Sequence, residues 1–223
     1  MSETDVSPPH LEIRVVVFTL QENRLKVLLI PATEFPFVGK WMLPAAPILD
    51  CTLEKAAAKQ IEQLTGMGEV YLEQLYTYGD PGRHPARRLI SIVYFALIPA
   101  DSLKTAAEQK NGSRWYAVEE LPPLAMDHAE ILAYALRRLR YKLEYTAVGF
   151  ELLPEFFTLS ELQHTYELIL GEKLDKRNFR RRILEAGIIE ATPHRRSGEG
   201  RPALLYRYRP DAVAEVKARR LFP

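Results

Sequence analysis

A short segment near the C-terminus, DKRNFRRRILEAG at 175–187, combines arginines and an asparagine with apolar residues at helical spacing. At about 100° per residue, Phe179 and Ile183 fall on one face of such a helix and most of the polar side chains on the others. An arginine fork matches the edge of guanine, and an asparagine amide matches the edge of adenine. The segment predicts a helix that reads DNA, with Lys176, Arg177, Asn178, Arg180, Arg181 and Arg182 as candidate contacts, the alternative being a solvated basic face.

A second basic cluster, HRRSGEGR at 194–201, follows this helix. Its glycines allow a backbone to approach closely, and Arg195, Arg196 and Arg201 can contact phosphates or enter a minor groove. The alternative is a surface turn without a role. Residues 188–191 and 203–208 alternate enough to predict two paired strands around the cluster.

The segment before both clusters has the spacing of a capping box. Thr158 is expected to accept from the Glu161 backbone, while Glu161 reaches back to the start of the helix. The helix would bury apolar residues from Leu159 to Ile169 and end at Gly171. Asp175 can cap the next helix. The order helix, turn, helix, hairpin is typical of a winged helix-turn-helix, and Thr158 joins the candidate DNA contacts.

The first half of the chain contains aromatic and arginine residues suited to a nucleotide. Aromatic faces can stack on a base, and arginines can bind a diphosphate. Each of these residues alone is as often a core side chain or an ion-pair partner. The candidate ligand-binding residues are Lys40, Trp41, Glu73, Tyr76, Tyr78, Arg83, Arg87 and Arg88.

Residues 45–67 resemble a Nudix box, whose pattern is G-x5-E-x7-R-E-U-x-E-E-x-G-U with U aliphatic. The length, the helical stripe and the closing Gly66 are kept, but Gln63 and Leu64 stand in place of the paired glutamates and Cys51 in place of the first one. Hard divalent cations require anionic oxygen ligands. We therefore expect no metal site, no cofactor and no catalytic residues, and a chain that binds its ligand without cutting it.

Composition places the 223-residue chain among ordinary globular proteins, with 47% hydrophobic and 26% charged residues. Its charge is divided: residues 171–223 hold 14 Lys and Arg against 7 Asp and Glu, whereas residues 1–170 hold 16 against 22. Such a division favours a nucleic-acid-binding module joined to a different domain. The single Cys51, the lack of a secretion signal and the lack of a long apolar run predict a cytoplasmic protein without membrane contact.

Hydropathy patterns predict a mixed first domain. Strands are expected over 12–20 and 25–30 as a hairpin, then a helix over 53–64, strands over 70–78 and 89–98, and a helix opened by Asp127 that runs to about Leu143. The predicted fold class is α+β, a Nudix-type α/β/α sandwich followed by a winged helix-turn-helix. The predicted domains are a flexible N-terminus (1–10), an effector-sensing domain (11–147) and a DNA-binding domain (148–223).

The chain resembles the NrtR family, the Nudix-related transcriptional regulators of NAD metabolism. The matching stretches are KWMLPAAPI, LEKAAAKQIEQLTG, YLEQLYTYGDPGRHPARRLISIVYFALI, LLPEFFTLSELQHTYELILGEKLDKRNFRRRI and RPALLYRY. The resemblance implies a Nudix-like domain that senses ADP-ribose or a related nucleotide. It also implies a winged helix that binds a palindromic double-stranded DNA operator as a homodimer, repressing genes of NAD metabolism.

Three alternatives stay open at this point. The chain could be a Nudix pyrophosphohydrolase acting on ADP-ribose-like substrates, with Asp50, Glu54 and Glu62 rebuilding a metal site. It could be a Nudix-type regulator that senses a sugar. It could also be an RNA-binding or scaffold protein that uses the basic helix nonspecifically.

Overall fold

The computed structural model describes residues 8–48, 50–103, 112–197 and 202–212. The described residues form two compact units. The first contains those up to 18, then 27–96 and 112–135, and the second contains 19–26, 97–103 and everything from 136 onward. Most of the predicted flexible N-terminus, residues 1–7, lies outside the described residues, and His10 already belongs to the first strand.

A hairpin opens the fold, as its apolar runs predict. Strand β1 (His10–Gln21) turns into β2 (Arg24–Pro31) through Glu22 and Asn23, whose φ angles are 53° and 57°. Two consecutive positive φ angles give the turn a twist that matches the right-handed twist of the two strands.

The hairpin forms the middle of a mixed sheet. The path of neighbouring strands is β3-β2-β1-β6-β5, with β4 paired to β1 and β7 paired to β2. The register of β1 against β4 places Ile13 opposite Ala46. The remaining strands are β3 (Trp41–Met42), β4 (Ala45–Pro47), β5 (Tyr71–Tyr78), β6 (Leu89–Ile98) and β7 (Arg114–Ala117).

Two helices accompany the sheet. Helix α1 (Leu53–Thr65) starts at the capping hydroxyl of Thr52 and ends at Gly66, whose φ of 78° favours glycine. Helix α2 (His128–Tyr145) buries a helical stripe that includes Ile131 and Leu139. The predicted helices over 53–64 and 127–143 are therefore confirmed to within two residues at each end.

The C-terminal elements follow the predicted order. They are a 3-10 turn (Val148–Leu152), α3 (Leu159–Leu170), α4 (Lys176–Glu185), β8 (Ile189–Arg196) and β9 (Ala203–Tyr208). The rings of Tyr166 and Phe179 meet edge to face at 5.5 Å between α3 and α4. Gly149 allows this packing, because a Cβ there would lie 2.8 Å from the Tyr166 ring.

The strand pair β8-β9 is attached to the segment before α3. Phe157 and Tyr206 exchange backbone hydrogen bonds of 3.0 and 2.7 Å, which adds a third short strand segment to the hairpin. This arrangement is that of a wing beside a helix-turn-helix.

The domain boundary at 147 and 148 stays a prediction. Within the described part of the chain, no helix has the length and apolarity to cross a bilayer.

Candidate nucleic-acid interface and ligand site

Helix α4 separates an apolar face from a basic one. The carboxylate of Asp175 caps the helix by accepting the Asn178 backbone N–H at 2.7 Å. Phe179 and Ile183 are buried, as their spacing predicts. Lys176, Arg177 and Arg181 are exposed on the remaining surface. The buried face thus fixes the helix to the core, and the cationic side chains on its other faces are exposed to solvent.

An asparagine organises two of these arginines. The Asn178 Oδ1 atom accepts from Arg181 Nη2 at 3.0 Å and from Arg182 Nε at 3.3 Å. The acceptor end of the amide is therefore shared between two guanidinium groups. Asn178 holds arginines in this structure, a role that sequence spacing alone did not indicate.

The wing supplies the second part of the basic surface. Arg195 is exposed and lies opposite Leu204 in the strand pair. Arg196 instead turns toward α3, where Nη1 contacts the Glu161 carboxylate and Nη2 donates to the Phe156 carbonyl at 3.0 Å. Arg201, the third predicted wing arginine, lies outside the described residues.

Thr158, a predicted DNA contact, lies at the start of α3. Its side chain is buried, and its hydroxyl accepts the Glu161 backbone N–H at 3.1 Å. Glu161 returns a bond to the Thr158 backbone at 2.7 Å, which completes the predicted capping box. The structure thus shows Thr158 capping the start of α3, and the direct DNA contact by this residue stays a prediction.

On the first unit, tyrosines form an exposed aromatic group. The rings of Tyr76 and Tyr78 are 5.3 Å apart, and Tyr76 and Tyr134 are 6.2 Å apart. Tyr76 is 58% exposed, which is high for a large aromatic side chain. An exposed ring face of this kind is suited to stacking on a nucleobase.

Arg83 is beside these rings but is already engaged. It forms an ion pair with Asp127 through Nε and Nη2 at 2.6 and 3.0 Å, and Nη1 donates to the Tyr78 carbonyl at 2.8 Å. Only 4% of its side chain is exposed. In this structure the side chain fixes its loop to the start of α2, and the ligand contact by Arg83 stays a prediction.

The remaining predicted ligand residues are spread over several loops and strands. Trp41 packs against Tyr116, with ring centroids 4.9 Å apart, and the Tyr71 hydroxyl donates to Glu73. Arg87 forms a two-bond pair with Glu34, 3.0 Å on each arm, and this hydrogen bonding lowers the pKa of the Glu34 carboxyl. Lys40 and Arg88 are exposed. Tyr76, Tyr78 and Arg83 are the predicted residues that the structure brings together.

A buried polar network next to these residues was missed from the sequence. Arg14 binds Glu12 through Nε at 2.6 Å and the Leu43 carbonyl through Nη1 at 2.7 Å. Ser91 joins it by donating to Glu12 at 2.7 Å and accepting from Arg83 at 3.1 Å. Alternating charged residues at 12 and 14 within an apolar strand were the available signal, since an isolated buried charge is costly.

His128 binds the backbone N–H of Leu43, the residue whose carbonyl accepts from Arg14. Its Nδ1 atom accepts the Leu43 backbone N–H at 3.1 Å. Burial, together with the charges of Arg14 and Arg83, holds the pKa of this imidazole well below its ordinary value. Leu43 is therefore held from both sides at the entrance to the box segment, and a neutral His128 must carry its proton on Nε2.

The box segment forms the predicted helix α1. Two of its residues stand where a metal-binding Nudix box has paired glutamates. Leu64 is buried in the core and Gln63 is exposed on α1. Over residues 8–48, 50–103, 112–197 and 202–212, no group of three His, Cys, Asp or Glu side chains could hold a metal ion. The prediction of no metal cofactor depends on the residue types in the box, and it stays a prediction.

The C-terminal part of the chain matches a known domain family. Residues 149–208 match the model of the NrtR DNA-binding winged helix domain. The ADPR responsive transcriptional repressor NtrR of Acinetobacter baylyi is 34% identical over 211 residues, which cover 92% of this chain and 84% of that protein. The ADP-ribose pyrophosphatase of Methanocaldococcus jannaschii is 31% identical over 130 residues, 57% of this chain and 76% of that protein.

Solved structures match both halves. The NrtR of Shewanella oneidensis in complex with a 27mer DNA has 32% identity and a TM-score of 0.84, covering 94% of this chain and 96% of that one. The Nudix domain of the same organism's NrtR, complexed with ADP ribose, has 27% identity and a TM-score of 0.53, covering 62% of this chain and 94% of that one. The predicted α+β class, with a Nudix domain followed by a winged helix, is confirmed.

Proposed function

The chain belongs to the NrtR family of Nudix-related transcriptional regulators, and on that premise we propose that it is a ligand-responsive repressor. It binds a DNA operator through α4 and the wing. It releases the operator when its Nudix domain binds ADP-ribose or a related nucleotide. Control of NAD metabolism genes is the expected role and stays a prediction.

The observation that carries DNA binding is the two-faced helix α4. Its apolar face is buried through Phe179 and Ile183, so the opposite face has a fixed direction. That face presents Arg177 and Arg181, and a cationic helix anchored in this way can enter a major groove. A basic hairpin beside the helix supplies phosphate contacts, as in other winged domains.

The ligand proposal has separate support. Tyr76 is an exposed ring next to Tyr78, and Arg88 and Lys40 are exposed cations on the same unit. A stacking surface and exposed cations on one unit together match a nucleotide diphosphate better than a neutral sugar. The Acinetobacter relative, which responds to ADPR, agrees with this class of effector.

Release follows from linkage. An effector that binds more tightly to the form that cannot bind DNA moves the population toward that form. By reciprocity, bound DNA must weaken effector binding by the same factor. The proposal therefore requires that ADP-ribose and operator oppose each other, whichever of the two binds first.

Hydrolysis of ADP-ribose is the second candidate function, because the Methanocaldococcus relative is a pyrophosphatase. The carboxylates proposed to rebuild a metal site argue against it. Glu54 and Glu62 are eight residues apart on α1, which is about 12 Å along a helix axis. Ligands of one ion lie within about 2.6 Å of it. Gln63 and Leu64 also supply no carboxylate at the positions of the paired glutamates, so we propose binding without turnover.

We also propose that the chain acts as a homodimer on a palindromic operator, since paired half-sites mirror two-fold protein symmetry. The test is to let the full chain select duplexes from a randomised library and to measure the mass of the selected complex. We expect an inverted repeat bound by two chains of 25.6 kDa each. Salt-dependent binding with no sequence enriched would instead identify nonspecific nucleic-acid binding and refute the proposal.

A further inference from the structure

Glu161 makes two unrelated contacts with its two carboxylate oxygens. Oε2 accepts the Thr158 backbone N–H at 2.7 Å and so completes the cap of α3. Oε1 forms an ion pair with Arg196, the residue at the end of wing strand β8. One side chain therefore joins the first turn of α3 to the wing.

The same short segment has two further contacts with the wing. Arg196 Nη2 donates to the Phe156 carbonyl at 3.0 Å, and Phe157 exchanges backbone hydrogen bonds with Tyr206 of β9. The wing is thus held to residues 156–161 by one ion pair and by backbone pairing. Of these, the ion pair lies closest to the tip of the hairpin.

The first turn of α3 also reaches α4. Ser160 Oγ accepts from Arg180 Nη2 at 2.9 Å. Neighbouring residues of one turn therefore hold one arginine of the reading helix and one arginine of the wing. This turn sets the position of the wing relative to α4, which is the geometry that must match the two contacted parts of a DNA duplex.

We infer that Glu161 is a positioning residue for operator recognition. It holds Arg196 and the wing in register with α4, and this pre-organisation favours the one duplex shape that both elements fit. The inference rests on the proposed DNA-binding function. By its charge alone a carboxylate would repel phosphates. In this position it contributes to sequence preference.

The test is Glu161→Gln in the full chain, measured against a 27-base-pair duplex selected by the wild type and a scrambled version of it. Glutamine also serves in a capping box, so α3 should stay intact, while the charge pair with Arg196 is lost. We expect the ratio of selected to scrambled affinity to fall at least about threefold. Affinity for the scrambled duplex should not fall, because a negative charge beside phosphates has been removed.

Glu190→Gln is the matched control. Glu190 pairs with Arg207 across β8 and β9, so this change removes the same charge from an ion pair of the wing without touching α3. It should leave the affinity ratio unchanged.

A second comparison uses Arg196→Ala, alone and combined with Glu161→Gln. If Glu161 acts through Arg196, the double variant should lose little more selectivity than Arg196→Ala alone.

Two results would overturn the inference. One is an equal change in the affinity ratio for Glu161→Gln and Glu190→Gln, which would indicate a simple charge effect. The other is additive loss in the double variant, which would separate Glu161 from Arg196. If Glu161→Gln melts early, the decision rests on Arg196→Ala alone, which removes the same ion pair and leaves the capping box in place; an unchanged affinity ratio for that variant would then contradict the inference. If the wild type selects no duplex at all, the proposed function fails first.

Discussion

Arg181 and Arg195 are both exposed cations of the basic surface, yet their surroundings differ. The Arg181 guanidinium is oriented by Asn178 and lies 4.0 Å from Glu185. Arg195 has one long hydrogen bond of 3.4 Å to the Pro202 carbonyl. An oriented fork is suited to a base edge, whereas a loosely held arginine is suited to a phosphate.

Arg181→Ala is therefore expected to relax base preference at one position of the selected duplex, at a cost of about 1–3 kcal/mol for the preferred base. Arg195→Ala should weaken every duplex by a similar factor and reduce the salt slope by about one. Binding to a set of single-base duplexes at several salt concentrations separates the two effects. Equal, sequence-independent losses from both variants would remove α4 from its proposed reading role.

Side-chain roles were predictable where both partners are close in sequence. The cap by Asp175 and the buried pair Phe179 and Ile183 follow from helical spacing alone. The ion pair of Arg83 was not predicted because its partner, Asp127, is 44 residues away. Sequence patterns show which residues can carry charge, but they do not show which distant charge will meet them on folding.

The turn between α3 and α4 is organised by a single carboxylate. Glu167 accepts from Lys173 Nζ at 2.9 Å, Gln163 Nε2 at 2.9 Å and the Leu174 backbone at 3.1 Å. The hydrogen bond from Lys173 is the largest cause that lowers the pKa of Glu167 to about 2. The ionised form of Glu167 therefore stabilises the turn between α3 and α4.

Acid should reveal this dependence. A carboxyl whose pKa is lowered on folding contributes stability above its ordinary pKa of 4.5 and loses it as the pH falls toward about 2. Glu167→Ala should reduce the free energy of unfolding at pH 7 by about 1–3 kcal/mol. The difference from wild type should shrink between pH 4.5 and pH 2 in urea titrations.

Glu172→Ala offers a control from the same turn, because Glu172 is an exposed carboxylate with the same change in formal charge. It should leave the unfolding free energy close to that of wild type at every pH. A Glu167→Ala variant whose deficit persists unchanged down to pH 2 would show that the carboxylate charge does not stabilise the turn.

The elements and the two hairpins, β1-β2 and β8-β9, were largely predictable, and the order of the other strands was not. Capping signals at Thr158 and Asp175, and glycines at 66 and 171, mark helix ends that the structure confirms. The strand order β3-β2-β1-β6-β5 depends on contacts between distant segments, which hydropathy alternation does not specify. Strand β8 is longer than predicted because its polar end continues to pair past an irregularity between Ala191 and Arg195.

At the scale of the whole molecule, the basic and acidic parts of the chain coincide with the two proposed functions, DNA binding and effector binding. The basic C-terminal residues carry the proposed DNA surface, and the acidic remainder carries the proposed effector site. Electrostatic attraction to DNA is then concentrated on one part of the chain, which favours productive encounter over random adhesion. The proposed effector domain keeps the box helix α1, and Arg14 and His128 hold the backbone of Leu43, which precedes the box segment.

The central claim is that this domain binds ADP-ribose without cutting it and thereby releases DNA. The most direct measurement is the fluorescence anisotropy of the selected duplex bound to the full chain, with ADP-ribose and Mg²⁺ added and the nucleotide assayed afterward. We expect anisotropy to fall to that of free duplex while ADP-ribose stays intact, with pentoses ineffective at the same concentration. Undiminished anisotropy, or conversion of ADP-ribose to AMP above about 1 s⁻¹, would contradict the account.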